Sequence, residues 1–266
     1  MRSLMSEAVH TLLAHYNFFG AWSKKLQGKL AAGGPPVLVE IQAGLPRDAL
    51  AQADKQMAIL EALQISVLTY WQLPAWLGDS LNPPALLFVR GQTELVYEEG
   101  WAVIGSRRAP AAAKAWAYRF AKALSEQGHL IISGGACGVD GAGHCGALAG
   151  CGQTIAWLGV AADRIYPAAH RGLFLSILAQ GGALVSEIPP LVKSWPSAHA
   201  QRNRFIAGQA QNLMIVSAGL RSGSLGTARW AEKEGKMIWV PEERFNSAAD
   251  GLEQLLRRGS AAFWPC

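Results

Sequence analysis

At 266 residues, 50% hydrophobic and 16% charged, the chain is long enough for one large domain or a domain with a smaller companion, and too apolar for a disordered segment. No apolar run reaches the length of a membrane span, and the opening MRSLMSEAVHTLLAHYNFF is broken by Glu7, His10, His15 and Asn17 without a small-residue cleavage pattern, so a cytoplasmic location and no membrane contact are expected. The formal charge of +5 is uneven: residues 1–100 hold 7 Lys and Arg against 9 Asp and Glu, and residues 101–266 hold 17 against 10, giving −2 and +7. That asymmetry favours a polyanion as partner of the C-terminal part.

In chain order, residues 1 to about 32 read as helices, because Leu4, Val9, Leu12, Leu13, Tyr16 and Phe19 recur at helical spacing. Gly33-Gly34-Pro35-Pro36 is a break, after which Val37 to Ile41 reads as a short strand and Pro46 to Leu63 as a helix. Residues 1–63 are therefore expected to form a smaller, mostly helical region, and residues 64–266 the main domain. Ile65 to Tyr70 and Leu86 to Gly91 are two further strands.

From Trp101 the rhythm is that of βα units. The expected strands are Trp101 to Ile104, Leu130 to Ser133, Thr154 to Leu158, Ala183 to Ser186, Leu213 to Val216 and Met237 to Val240. Between them lie expected helices at Ala111 to Gln127, Asp140 to Ala149, Arg171 to Gln180, Arg202 to Ala210 and Leu225 to Lys233. The fold class is thus α/β, a Rossmann-like parallel sheet with helices on both faces. Ligands of such sheets bind outside the carboxyl ends of the strands, so the residues after each strand carry the information.

Gly105, Ser106, Arg107 and Arg108 follow the first of these strands, just ahead of a helix start. Unpaired N–H groups and the positive end of the helix dipole beside two arginines make a phosphate seat; the plain alternative is a βα turn with solvated arginines. Gly134 and Gly138 lie in the glycine-rich loop after the second strand, and Arg202, Asn203 and Arg204 close a long loop after the fourth. Arg221, Ser222, Gly223, Ser224 and Thr227 follow the fifth. Three such loops meeting at one edge, with arginines between them, read as a backbone-lined anion site. Trp195 and Phe205 flank the basic motif and are candidates for stacking on bases, core packing being the alternative for each. Asp140 is expected to cap the helix that follows it, and His144 to be a neutral, hydrogen-bonded interior residue. Cys137, Cys145 and Cys151 lie near His144 without a C-x-x-C pair and are expected to be ordinary buried thiols; no metal site and no cofactor are expected.

The succession GSR, SGGACGVDGAGHCGAL, GVAADRIYP, SEIPP, RNRFIAG and SGSLGTA resembles the DNA-processing protein A family, also called Smf, over roughly Ile65 to Ser260. Gly105, Ser106 and Arg107 match its GSR turn, Gly138, Asp140, His144, Ala147 and Leu148 its GIDxxAHxxAL run, Arg202 to Arg204 with Ile206 to Gly208 its RNRxIAG run, and Ser222 to Ser224 with Thr227 and Ala228 its SGSLxTA run. The resemblance implies an extended Rossmann fold and a non-catalytic protein that binds single-stranded DNA in a basic pocket. It further implies loading of a RecA-type recombinase, mainly in natural transformation, and action as a homodimer. Cys137 stands where the family usually has Arg or another polar residue, His199 where Phe is usual, and Glu242 where Gly is usual, which implies weaker DNA binding. The family's winged-helix domain is not expected within these 266 residues. A nucleotide-binding Rossmann protein, or a nucleotide phosphoribohydrolase of the lysine-decarboxylase-like type, is the alternative, because Gly223 to Thr227 loosely resembles that family's PGGxGTxxE loop. The position of its catalytic glutamate is Trp230 here, with Glu232 two residues on.

Overall fold

The fold is built around a nine-stranded sheet whose order, among the described residues, is β1-β2-β6-β5-β4-β3-β7-β8-β9. A computed structural model provides it, describing residues 4–20, 22, 24–34, 36–78, 80, 82–243, 245 and 250–265. Seven neighbouring strands run parallel: β6 (Ala183–Ser186), β5 (Thr154–Trp157), β4 (Ile131–Ser133), β3 (Gly100–Gly105), β7 (Ala210–Ser217), β8 (Met237–Val240) and β9 (Ala262–Phe263). Of these, β3, β4, β5 and β6 are short runs buried on both faces, which is why no alternation of polar and apolar residues marks them, whereas β9 at the edge is exposed. Two antiparallel strands, β1 (Ile65–Thr69) and β2 (Leu86–Gly91), extend the β6 edge, so the sheet is mixed.

The connecting helices agree with the sequence reading in all but their ends: α6 (Ala111–Glu126), α7 (Val139–Ala149), α8 (Arg171–Ala179), α9 (Ala198–Gln209) and α10 (Gly223–Lys233). Helix α9 is the informative exception. It begins four residues before the expected Arg202, which places the Arg202-Asn203-Arg204 run inside the helix rather than at its entrance. A short helix, α11 (Asp250–Arg257), and strand β9 complete the C-terminal side.

Ahead of the sheet, α1 (Leu4–Phe19), α2 (Lys24–Gly33), α3 (Val37–Ala43) and α4 (Arg47–Ala62) share a core in which Leu12, Leu13, Leu30 and Ala53 meet Ile65, Leu86 and Phe88 of the antiparallel strands. The strand expected at Val37 to Ile41 is a helix. Val37, Leu38 and Ile41 fall on one helical face and pack against this core, whereas Val39, which a buried strand would cover, is exposed. In the chain, α5 (Ala75–Gly78) lies between β1 and β2. No helix among the described residues is long and apolar enough to cross a membrane.

The cysteine expectation is corrected. Cys145 and Cys151 are exposed and Cys137 is half-buried, because α7 turns Val139, Gly143, His144 and Ala147 inward and leaves Cys145 outside. Cys266 lies outside the described residues.

Candidate nucleic-acid interface

Strand β3 has β4 on one side and β7 on the other, so the crossovers leave it in opposite directions and a crevice opens at its carboxyl end. Three loops are sewn together there. Ser106 donates its N–H to Ser217 O at the end of β7 (2.8 Å), and Ser106 O accepts from Val139 N at the start of α7 (3.3 Å). The approach is so close that a Cβ on Gly138 would lie 2.2 Å from Ser106 O, and Gly138 has φ of +90°, where a side chain is strained. On the other side, Ser222 caps α10 by accepting from Ser224 N (3.3 Å), and Asn203 Nδ2 donates to Gly223 O (3.3 Å).

The result is an open pocket of about 590 Å³. Gly105, Ser106, Arg107, Arg108, Arg202, Asn203, Arg221, Ser222, Gly223, Ser224 and Thr227 all line it, so residues from 105 to 227 of the sequence come together. Gly134 and Gly138 do not line it but make it possible, Gly138 through the loop contact and Gly134 by leaving space for a guanidinium that a Cβ would meet at 2.6 Å. The Arg107, Arg108 and Arg221 side chains are exposed at its rim and form no ion pair with a described residue. The first turn of α10 adds N–H groups and the positive end of its dipole. A larger hollow of about 710 Å³ between α1, α4 and β1 is lined by Asp54 and Glu61, the wrong sign for phosphate.

Helix α9 sorts its arginines by direction. Arg202 points inward, buried, with its guanidinium donating to Gly134 O (2.6 Å) and Trp157 O. Burial lowers its pKa to about 10, against the attraction of Asp140, so it stays charged beneath the pocket floor. Direct phosphate contact by Arg202 is therefore corrected to a supporting role: its hydrogen bonds hold the glycine-rich loop. Arg204 points to the far side, where it forms a two-pronged pair with Glu187 (2.6 and 2.8 Å), both side chains being nearly buried, and it does not line the pocket. Its assignment as a phosphate ligand is corrected as well. So is base stacking by Phe205, which is 1% exposed and stacks on Trp157 with ring centroids 4.8 Å apart. Trp195 is half-buried on Ala161, Ile188 and Ala198, donates its indole N–H to Gln201 (3.1 Å), and lies outside the pocket lining.

Asp140 is not the helix cap. Gly138 occupies that position, and Asp140, the second residue of α7 and buried, accepts from Ala136 N (3.4 Å). Burial raises its pKa; Arg202 and the N–H groups of Ala136, Gly105 and Gly134 oppose the rise. His144 is interior and hydrogen-bonded as expected. Thr154 donates its hydroxyl to Ile131 O (2.7 Å), so His144 Nδ1 must be the donor across the 2.7 Å contact to Thr154 Oγ1. Burial, with His170 and Arg202 nearby, pushes its pKa from 6.5 down to about 3.

This displacement has a measurable consequence. As pH falls below 6.5 the unfolded chain protonates His144 while the folded chain does not, so the unfolded state holds more protons and stability declines. Urea midpoints are expected to show a loss of roughly 2 kcal/mol from His144 alone between about pH 6.5 and pH 5. The loss shrinks in His144→Asn; an unchanged pH slope in that variant refutes it.

Ile104, Ala136, Asp140, Pro196, His199, Ala200, Ile206 and Gly219 also line the pocket and were not among the candidate ligands of the sequence reading. Running α9 back to Ala198 would have brought in His199 and Ile206, since His199, Arg202, Asn203 and Ile206 share one helical face at i, i+3, i+4 and i+7.

Comparison with known proteins identifies the chain's family and fold. A family model described as DNA recombination-mediator protein A matches residues 65–265. The chain belongs to that family. It is 38% identical over 192 residues to Protein Smf of Escherichia coli, covering 70% of this chain and 50% of the relative, so it spans about half that protein's length. Two solved family members share the fold. DNA processing protein A from Helicobacter pylori, solved to describe its single-stranded DNA binding mode, has 32% identity, a TM-score of 0.69, and coverage of 76% of this chain and 91% of the other. Its Streptococcus pneumoniae counterpart has 25% identity, a TM-score of 0.72, and coverage of 98% and 92%.

Proposed function

We propose that this chain is a single-stranded DNA-binding recombination mediator, which protects DNA during uptake and natural transformation and loads a RecA-type recombinase onto it. It acts in the cytoplasm as a homodimer and not as an enzyme. The observation that carries the reading is the meeting of Arg107, Arg108 and Arg221, exposed and unpaired among described residues, around a pocket whose wall includes glycine backbone and the hydroxyls of Ser106, Ser222, Ser224 and Thr227. Such a wall grips phosphates without regard to base, as binding of arbitrary sequences requires. The single-stranded DNA binding of the Helicobacter pylori relative supports the same ligand. The hydrolase alternative lacks the glutamate that its loop requires: Trp230 is half-buried against the core, Glu232 is exposed and absent from the pocket lining, and the carboxylate that does line the pocket, Asp140, is buried beside Arg202.

The test is a titration with single-stranded and duplex oligonucleotides of equal length. Open pockets lined by backbone suit unpaired strands, so single strands are expected to bind at least about tenfold more tightly, with affinity falling as salt rises. Equal affinity for duplex, or no salt dependence, overturns the reading.

A further inference from the structure

None of the first four helices lines the arginine pocket, yet the junction of α1 and α2 is docked at the same edge of the sheet. Glu187 follows the carboxyl end of β6, and its backbone carbonyl accepts the indole N–H of Trp22 (3.3 Å). Gln56 of α4, fully buried, donates to Pro190 O three residues further on (2.8 Å). The chain then runs on to α9, and Pro196 in that loop already lines the pocket. In the order β6-β5-β4-β3, β6 stands three strands from β3, about 14 Å at the usual strand spacing, so the junction and the arginines share one rim.

The junction carries an exposed aromatic pair beside cations. Phe18 and Phe19 are 52% and 59% exposed, and their rings meet edge to face with centroids 4.7 Å apart. They form an apolar patch at the end of a helix that buries Tyr16 against Trp22, so packing of the fold does not use them. Lys24 and Lys25, exposed at the start of α2, form no ion pair with a described residue, whereas Lys29 is paired with Glu40 (2.6 Å). Lys193, also exposed, lies in the loop that joins the junction to the pocket. Two carboxylates at this rim are engaged, Glu187 with Arg204 and Asp163 with the N–H of Leu191 (3.3 Å). Aromatic faces stack on any base, and ammonium groups hold the phosphates between. An anionic lipid surface also takes phenylalanine and lysine, but the rim shared with the arginines favours a strand, which is long enough to lie on both places.

We propose that the α1–α2 junction is a second contact for single-stranded DNA: a strand seated on the arginines follows the rim past Lys193, stacks bases on Phe18 and Phe19, and lays phosphates beside Lys24 and Lys25. The inference rests on the single-stranded DNA reading and lengthens that site beyond the pocket, giving the first helices a part in it. Trp22 and Gln56 are positioning residues, which dock these helices on the rim.

The experiment titrates the full chain with oligothymidylates of about 4 and about 16 nucleotides, the span of single-strand site sizes, and compares each variant with wild type at each length. Phe18→Ala with Phe19→Ala is expected to weaken the long oligomer about 5- to 30-fold, the range of stacking on one or two bases, and the short one less than twofold. Lys24→Gln with Lys25→Gln, which leaves the aromatic pair intact, is expected to lower the salt slope for the long oligomer by roughly 1.4, or 0.7 per lost contact, and to leave the slope for the short one as it was. If both variants bind the long oligomer like wild type, or if both lengths weaken together, the second contact is overturned and the arginine pocket stands. Phosphatidylserine vesicles that bind wild type but not the phenylalanine variant, with long-oligomer affinity unchanged, overturn it in favour of a lipid surface. If wild type binds neither length in a salt-dependent way, the pocket reading falls and takes this inference with it.

Discussion

Arg107→Ala is expected to lower single-stranded DNA affinity about tenfold or more for every sequence alike, and to reduce the slope of log affinity against log salt by roughly 0.7. The loss is independent of sequence because Arg107 stands at the rim of the pocket with Arg108, Arg221 and the hydroxyls of Ser106, Ser222, Ser224 and Thr227, groups suited to phosphate oxygens. Arg108→Ala and Arg221→Ala act in the same direction, and the slope changes add, since each side chain stands alone in solvent. Arg204→Ala provides the contrast. That side chain is tied to Glu187 outside the pocket, so its removal leaves a nearly buried carboxylate unpaired and costs roughly 3–5 kcal/mol of stability. The salt slope of the folded fraction stays at the wild-type value. Salt titrations of the four variants beside their urea midpoints decide the matter: an unchanged slope in Arg107→Ala removes it as a phosphate ligand, and a reduced slope in Arg204→Ala reverses the assignment made from α9.

Two glycine-to-alanine changes are expected to have opposite signs. Gly138→Ala places a methyl 2.2 Å from Ser106 O at φ +90°, and the obstacle is backbone, which has no rotamer to turn aside. Strain of about 1–3 kcal/mol for the dihedral alone, plus the parting of the β3 and α7 loops, gives a loss of several kcal/mol and a weakened binding pocket. Gly226→Ala lies on α10, where the nearest atom to the new methyl is Asn203 Nδ2 at 4.0 Å. Relief of glycine's entropy in a helix raises stability by roughly 0.5–1 kcal/mol. Denaturant midpoints measure both, and a neutral Gly138→Ala would mean that the two loops do not meet as described.

The sequence was legible wherever the physics is local. Short buried runs such as Trp101 to Ile104 announce a parallel strand, and the loops after them announce an anion site because glycines and arginines at strand ends have few other reasons to recur. His144 was readable as an interior neutral residue from its place one turn into an apolar helix. Family membership was equally legible, since the motifs from Gly105 to Ala228 keep order and spacing, and the family match spans residues 65–265.

What only the tertiary structure decided is direction. Arg202, Asn203 and Arg204 are neighbours in sequence, but successive residues of a helix point about 100° apart, so one supports the floor, one faces the pocket and one pairs with Glu187 behind it. Nothing in the string RNR reveals that the helix had already begun at Ala198, because its entrance lacks a side-chain cap. Phe205 went to the core for the same reason. The turn of Val37 to Ile41 into a helix was likewise settled by an apolar face elsewhere in the fold that five residues cannot foresee. Local sequence determined which residue types stand at the strand ends; packing of α9 against the sheet determined which of those charges remain free to meet a phosphate.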